Sequence, residues 1–362
     1  MTKQTVLCLF GGKSSEYEVS LISAHSILSN INKDKYDIVT AGITKGGDWY
    51  LFSGDISKIK DGSWCDDTAN LKKAVLSPSP SDSALLIFAD DGDKVEKLHI
   101  DVIFPIMHGA NAEDGTLQGL MKLSGIPFVG CGCATSAIGM DKGYTKLVLN
   151  NFGIPQAKCK IILRNDYIIN KDRVLDACEK IGSYPLFVKP ANAGSSVGAS
   201  KAADRTALAS AIDLAAKHDS KILVEEYICG KEIEVAVIGN GSYTASVCGQ
   251  INPGSEFYDY DAKYSASSNS SCLIPADIGT DTANDVRDYA VKICAILGVT
   301  GLSRVDFFVS EENGKERITF NEINTLPGFT QISMYPKLMV HGGMSYSSLI
   351  DALIELAFER QG

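Results

Sequence analysis

The chain has 362 residues, which as a prior suggests two or three domains. At 45% hydrophobic and 22% charged it has an ordinary globular composition, and no run of about 18 apolar residues offers a transmembrane helix. The formal net charge of −10 argues against nucleic acid as the main partner, while leaving anionic ligands open, because local clusters decide those sites. Met1 to Thr5 leads straight into a short apolar run without the features of a signal peptide. The ten cysteines are thinly spread with no Cys-x-x-Cys pair, and most have apolar neighbours. Both observations predict a cytoplasmic chain with reduced thiols and no membrane contact.

Val6 to Phe10 is a continuous apolar run ending in Gly11-Gly12, the pattern of a buried parallel strand entering a turn. A helix is predicted from about Glu18 to Asn30, with Val19, Ile22, Ile27 and Ile31 inward. Strands are predicted at Asp37–Ile43, Asp101–Met107 and Ile126–Val129, giving an open α/β domain that ends near residue 130. Residues 55–97, interrupted by Ser-Pro-Ser-Pro, read as an insertion at its edge. His108-Gly109 to Gly115-Thr116 follows a strand, where ligands of open α/β sheets bind.

A second region opens near Cys131, with a helix over Asp141–Phe152. The strand Pro185–Lys189 runs into the glycine-rich Lys189-Pro190-Ala191-Asn192-Ala193-Gly194-Ser195-Ser196-Val197-Gly198. Backbone amides of such a turn can approach phosphate oxygens, and the lysine adds a point charge. The common nucleotide and dinucleotide loops are absent. Asp204–His218 reads as a helix with an acidic cap, and Ile222–Glu226 as a strand with an acidic end. The third region begins with a strand at Glu232–Ile238. Asn252–Ser271 is a long aperiodic loop, the kind that is disordered or functional. Thr280–Leu297 is the clearest helix, stopped by Gly298, and Ser345–Arg360 closes the chain as another.

Between these last helices, Arg304-Val305-Asp306-Phe307-Phe308 and Phe320 to Asn324 flank the turn signal Glu311-Glu312-Asn313-Gly314 and predict a hairpin. Side chains two apart share a strand face, so Arg304, Asp306 and Phe308 point one way, and Phe320, Glu322 and Asn324 point one way. Two carboxylates, an amide and a guanidinium brought together suit a hard cation that bridges phosphates.

In this order and spacing the motifs resemble the D-alanine–D-alanine ligases of the ATP-grasp superfamily, nearly end to end. They run from Phe10-Gly11-Gly12 and Glu18-Val19-Ser20-Leu21, through His108-Gly109 and Glu113-Asp114-Gly115-Thr116, Met140-Asp141-Lys142, the Lys189 loop and Phe257 to Tyr264, to Asn321–Thr330. The resemblance implies an α/β fold, α+β in parts. Its three domains would be an N-terminal open parallel α/β substrate domain over 1–130, a central domain over 131–225, and a C-terminal domain over 226–362 with a lid at about 250–275. It implies ATP as substrate and two Mg²⁺ (or Mn²⁺) held by Asp306, Glu322 and Asn324.

Lys142 and Lys189 would meet the nucleotide, with Ser195 and Ser196 over its phosphates. Glu225, Glu226, Tyr227 and Ile228 would form the adenine hinge, Glu232 would bind ribose, and Phe308 would lie on the nucleotide side. Glu18 would pair with the ammonium of the first D-alanine and, with Ser195 and Tyr264, close the site. His108, Lys263, Tyr264, Ser333 and Met334 would complete the amino-acid site, and Arg304 with the Gly328 amide would stabilise the oxyanion. The implied product is D-alanyl-D-alanine for peptidoglycan precursors, made by a cytoplasmic, bacterial, homodimeric enzyme.

Ala112 and Gln331-Ile332 depart from the usual family residues. The chain is also similar to the vancomycin-resistance D-alanine–D-serine ligases, which typically carry arginine at the position of Met334. An apolar Met334 offers a serine hydroxyl no donor, and Tyr264 favours an amine acceptor over D-lactate. D-alanine is therefore the expected second substrate. D-serine, or another carboxylate–amine pair of an ATP-grasp ligase, is the alternative.

Overall fold

The computed structural model describes residues 3–89, 94–194, 196–252 and 271–360. Ser195, Lys263 and Tyr264 lie outside the described residues, as does most of the expected lid.

The first sheet is built on β1 (Gln4–Gly11), followed by α1 (Tyr17–Asn30), β2 (Tyr36–Ile43), β3 (Trp49–Phe52), α2 (Ser57–Asp61), β4 (Leu71–Leu76), β5 (Ala84–Phe88), β6 (Val95–His99) and β7 (Val102–Ile106). Among the described residues its order is β6-β5-β4-β3-β2-β1-β7. Only β2-β1-β7 are parallel; β3 to β6 add antiparallel strands. The stretch expected as an edge insertion thus continues the sheet. Its inward Ala74, Leu76, Leu85 and Ile87 are buried, but the Ser-Pro breaks and the Lys72-Lys73 pair disguise the alternation. Ile126–Val129 forms no strand of its own; Phe128 makes an isolated bridge to Ile103.

Tyr17 fixes where α1 starts. Its ring is buried and its hydroxyl accepts a bond from Trp64 Nε1 at 3.0 Å. Trp64 is itself fully buried, edge-on to Phe10 at 5.0 Å. The helix therefore turns Leu21, Ala24 and Ile27 inward, and Ile22, expected inside, is 38% exposed.

After α3 (Thr116–Ser124) come α4 (Cys133–Met140) and α5 (Lys142–Asn150). Asp141 caps α5 by accepting the Tyr144 amide at 3.0 Å. The second sheet holds β8 (Cys159–Leu163), β9 (Leu186–Pro190), β10 (Ser200–Ala202) and β11 (Lys221–Glu226). It is antiparallel in the order β10-β9-β11-β8 among the described residues. Packed with it are α6 (Arg164–Ile169), α7 (Lys171–Glu179) and α8 (Arg205–Ala215), the last capped by Asp204.

The third sheet comprises β12 (Lys231–Asn240), β13 (Ser242–Ala245), β14 (Gly249–Asn252), β15 (Ser271–Leu273), β16 (Thr300–Glu312) and β17 (Lys315–Asn324). Helix α9 (Thr280–Leu297) covers one face, and Leu149 and Ile154 join that core with Ile293, Phe307 and Phe320. Helices α10 (Met334–His341) and α11 (Tyr346–Glu359) pack into a core shared with the first sheet.

The predicted hairpin is present, and Asn313 and Gly314 turn it at φ 53° and 74°, the left-handed pair that two-residue hairpins need. Arg304 pairs with Asn324 and Asp306 with Glu322, but the register shifts beyond Asp306 and Phe307 pairs with Phe320. Asn321 is the extra residue of a bulge. In consequence Phe320 faces the core beside Phe307, not the side of Glu322 and Asn324. No described helix is long and apolar enough to cross a membrane, and the ten cysteines form no disulfide.

Candidate active site

Two cavities open between these sheets. The larger, about 650 Å³, is lined by Lys142, Lys146, Lys189, Ser196, the run Glu225-Glu226-Tyr227-Ile228, Glu232, Phe308 and Glu322. A smaller one, about 100 Å³, is lined by Glu16, His108, Glu113, Lys142, Glu234, Arg304, Glu322, Asn324, Gly328, Ser333 and Met334. They meet at Lys142 and Glu322, whose Nζ and Oε2 are 3.2 Å apart.

In the larger cavity Glu225 is buried between two lysines, with Lys189 Nζ at 2.8 Å and Lys146 Nζ at 3.0 Å. Burial opposes its charge, but the two ammonium groups prevail and hold its carboxyl at about 2. Lys189 is likewise desolvated, yet Glu225 and Glu322 keep its pKa raised. Its Nζ also donates to Asn321 Oδ1 at 3.3 Å. At the same end Lys142 Nζ donates to Ala193 O at 2.9 Å. Glu226, Lys231, Glu232, Glu311 and Glu316 also line this cavity.

In the smaller cavity Arg304 forks onto Asp306, which lines neither cavity, Nε to Oδ1 at 2.8 Å and Nη2 to Oδ2 at 2.7 Å. Its Nε also lies 3.1 Å from Glu234 Oε2. Burial works against the guanidinium charge, and Asp306 and Glu234 outweigh it, so Arg304 stays protonated. Asp306 is 2% exposed and also accepts Asn324 Nδ2 at 3.0 Å. Among the described residues no group of three His, Cys, Asp or Glu gathers as a metal cluster; this set is two carboxylates and an amide.

In the smaller cavity the buried His108 ring has Nδ1 3.1 Å from Leu326 O and 3.6 Å from Glu113 Oε1, and Nε2 3.1 Å from Ser23 Oγ. Burial would lower its pKa, but Glu113 and, further off, Glu16 push it up. Ser333 Oγ lies 2.8 Å from Thr330 Oγ1 and accepts the Thr330 amide at 3.1 Å. Met334 is buried and opens α10 with its thioether toward Gly249.

The structure corrects one assignment. Glu18 is exposed on α1, paired with Lys45, and lines neither cavity. With Tyr17 anchored inward, Glu18 in the first turn must face outward. Glu16, at the cap position, instead reaches into the smaller cavity between Gly109 and Gly194. A Cβ on those glycines would meet its Oε2 at 2.6 Å and 3.1 Å.

The family described as D-ala D-ala ligase N-terminus matches residues 5–131, and that described as D-ala D-ala ligase C-terminus matches 148–355. The chain belongs to the D-alanine–D-alanine ligase family. A D-alanine–D-alanine ligase of Ruminiclostridium cellulolyticum is 49% identical, covering 99% of this chain and 96% of that protein. One from Acetivibrio thermocellus matches equally, at 49% with the same coverage. Among solved structures, the VanG D-Ala:D-Ser ligase from Enterococcus faecalis superposes with a TM-score of 0.88 at 39% identity, covering 98% of this chain and all of that one. The D-alanine–D-alanine ligase from Coxiella burnetii gives 0.83 at 31%, covering 100% and 95%.

Within this ligase fold, Glu16, Glu113, Lys146, Glu234 and Asn321 line the cavities but were given no role from the sequence, although Glu113 and Asn321 lie in the motifs quoted above. Glu234 carried a signal, since it shares a strand face with Glu232. So did Lys146, one helical turn beyond Lys142. Asn321 had none, because bulges leave no mark in the alternation. Ala112, one of the departures from the usual family residues, needs no unusual backbone: Gly109 and Asn111 take the positive φ angles, 74° and 65°.

Proposed function

We propose that the chain joins two D-alanines to D-alanyl-D-alanine for peptidoglycan precursors, with ATP converted to ADP and phosphate. The observation that carries this reading is the meeting of the two cavities at Lys142 and Glu322. A polyanion in the larger cavity and a carboxylate in the smaller would confront each other there. Lys142 and Lys189 suit the phosphates, and the Glu225–Ile228 edge suits the base. Glu16 would receive the ammonium of the first D-alanine.

The first carboxylate oxygen bonds to the γ-phosphorus while the bond to the β-phosphate oxygen breaks and ADP leaves. Such a transfer depends on positioning and charge neutralisation. The amine of the second D-alanine then attacks the carbonyl of the acyl-phosphate, loses a proton, and phosphate departs. Arg304, kept charged, and the Gly328 amide stabilise the oxyanion.

Asp306, Glu322 and Asn324 would hold Mg²⁺ or Mn²⁺. The fit is chemical: all supply hard oxygen donors, Asp306 and Glu322 face each other across the hairpin, and Asp306, which accepts three bonds from Arg304 and Asn324, keeps about one of a carboxylate's four acceptor sites. The cation supplies charge neutralisation at the phosphates.

Met334 supports D-alanine as the second substrate: it is buried at the smaller cavity and offers no hydrogen-bond donor. The similarity to the VanG ligase makes D-serine the competitor to test. Free thiols and ATP as substrate support a cytoplasmic enzyme, and the homodimer remains part of the proposal. The test is ADP release with D-alanine, L-alanine, D-serine and D-lactate, each with and without Mg²⁺. Release that depends on D-alanine and Mg²⁺ is expected, and its absence refutes the reading. Comparable turnover of D-serine and D-alanine in competition refutes the choice of second substrate.

A further inference from the structure

For Lys142 and the amides of the glycine-rich segment to meet a phosphate, residues 191–194 must be held against α5. One of their anchors lies outside both cavities. Asp219 is half-buried in the turn between α8 and β11 and lines neither cavity. Its Oδ2 accepts both the backbone N–H and the side-chain Nδ2–H of Asn192, each at 2.9 Å. Its Oδ1 accepts the Lys221 amide at 3.1 Å.

Asn192 Nδ2 also reaches Asp141 Oδ2 at 3.5 Å, and Asp141 is the cap of α5 and the ion-pair partner of Lys221. Lys142 comes next: its amide donates to Ala191 O at 3.1 Å and its Nζ to Ala193 O at 2.9 Å. On the far side of the segment, His218 packs against Gly198, where a Cβ would meet its Cδ2 at 2.6 Å. Both limbs therefore lean on the His218–Asp219 turn. Burial opposes the Asp219 charge, but the bonds from Asn192 and Lys221 outweigh it and hold the carboxyl below its usual range.

We infer that Asp219 is a positioning residue for ATP, which through Asn192 holds the glycine-rich segment and Lys142 in register with the phosphates. This rests on the nucleotide reading of the larger cavity. Hydrogen bonds to a carboxylate are among the stronger ones, and small displacements of groups that grip a phosphate lower the rate steeply.

The test uses the full chain with Asp219→Ala, Asp219→Asn and Asn192→Ala. ADP and adenosine are measured in competition with ATP, alongside KM for ATP and for D-alanine. In Asp219→Ala we expect ADP to weaken by about tenfold or more, the scale of lost bonds to a charged group, with adenosine within about twofold. KM for ATP rises while KM for D-alanine holds. Asp219→Asn falls between, since it keeps one acceptor oxygen, and Asn192→Ala follows Asp219→Ala. If Asp219→Ala fails to fold, the other two variants carry the same comparison. Equal weakening of ADP and adenosine, or a wild-type ratio between them, overturns the inference. A wild-type chain that binds ADP no better than adenosine overturns the nucleotide reading itself, and the anchor with it.

Discussion

Glu16 and Glu18 are two positions apart and have opposite surroundings, and Tyr17 between them decides which is which. Its hydroxyl is held by Trp64 from forty-seven residues away, so no local pattern could have chosen between two glutamates at a helix start. Glu16→Gln should lower kcat/KM for D-alanine by about a hundredfold, as for loss of a charged partner. Glu18→Gln should stay within about twofold, because its exposed pair with Lys45 is worth little. Steady-state kinetics of both variants check this, and the reverse ranking would restore Glu18. Glu225 gives a stability test. Its carboxyl is depressed from 4.5 to about 2 in the fold, so its stabilisation is fully present above about 4.5 and fades as pH falls toward about 2. Glu225→Gln strands two buried lysines and should cost about 3–5 kcal/mol at pH 7. Chemical denaturation from pH 7 to 3 should show that gap narrowing below about 4.5, and a constant gap would contradict the ionised assignment.

At the scale of elements, legibility followed how far each element's own residues dictate it. Helix α9 was read to its ends because a continuous apolar stripe stops at Gly298, which takes φ 66°. The hairpin was legible from two apolar runs around Asn313-Gly314, but the Asn321 bulge was not, since an extra residue is visible only against its partner strand. That bulge sends Phe320 to the core while Glu322 and Asn324 stay on the side of Asp306. Strands β3 to β6 were missed for the opposite reason: all are short, β4 and β6 carry charges, and Pro78 and Pro80 interrupt the chain between β4 and β5, so each is defined by its neighbour in the sheet. Gly314→Ala tests the turn. A side chain in the left-handed region should cost about 1 kcal/mol, lowering the denaturation midpoint and leaving KM for ATP unchanged. A rise in KM would mean that the hairpin tip, far along the strands from Glu322, still sets the site.

For the whole molecule, the decisive fact is that Glu322 belongs to both cavities while Asp306 is covered by Arg304. That could not be read from the sequence, which gives the hairpin but not the sheet that faces it across the larger cavity. Occupants of the two cavities should therefore stabilise the fold together through this junction. A ligand at a hundred times its Kd adds about 2.7 kcal/mol, enough for a measurable rise in melting temperature. We expect ADP alone to raise it, Mg²⁺ to add a further increment only when ADP is present, and EDTA to remove that increment. In Glu322→Gln the chain should stay folded and keep the rise with ADP, because Lys142, Lys189 and the Glu225 edge are intact. It should lose the Mg²⁺ increment and most of its turnover, since a neutral amide no longer offsets the cation's charge. The two losses must occur together if one carboxylate serves both cavities. Wild-type turnover with a full Mg²⁺ increment would remove Glu322 from the cation set. A lost increment with normal turnover would mean that the cation stabilises the complex without taking part in the reaction.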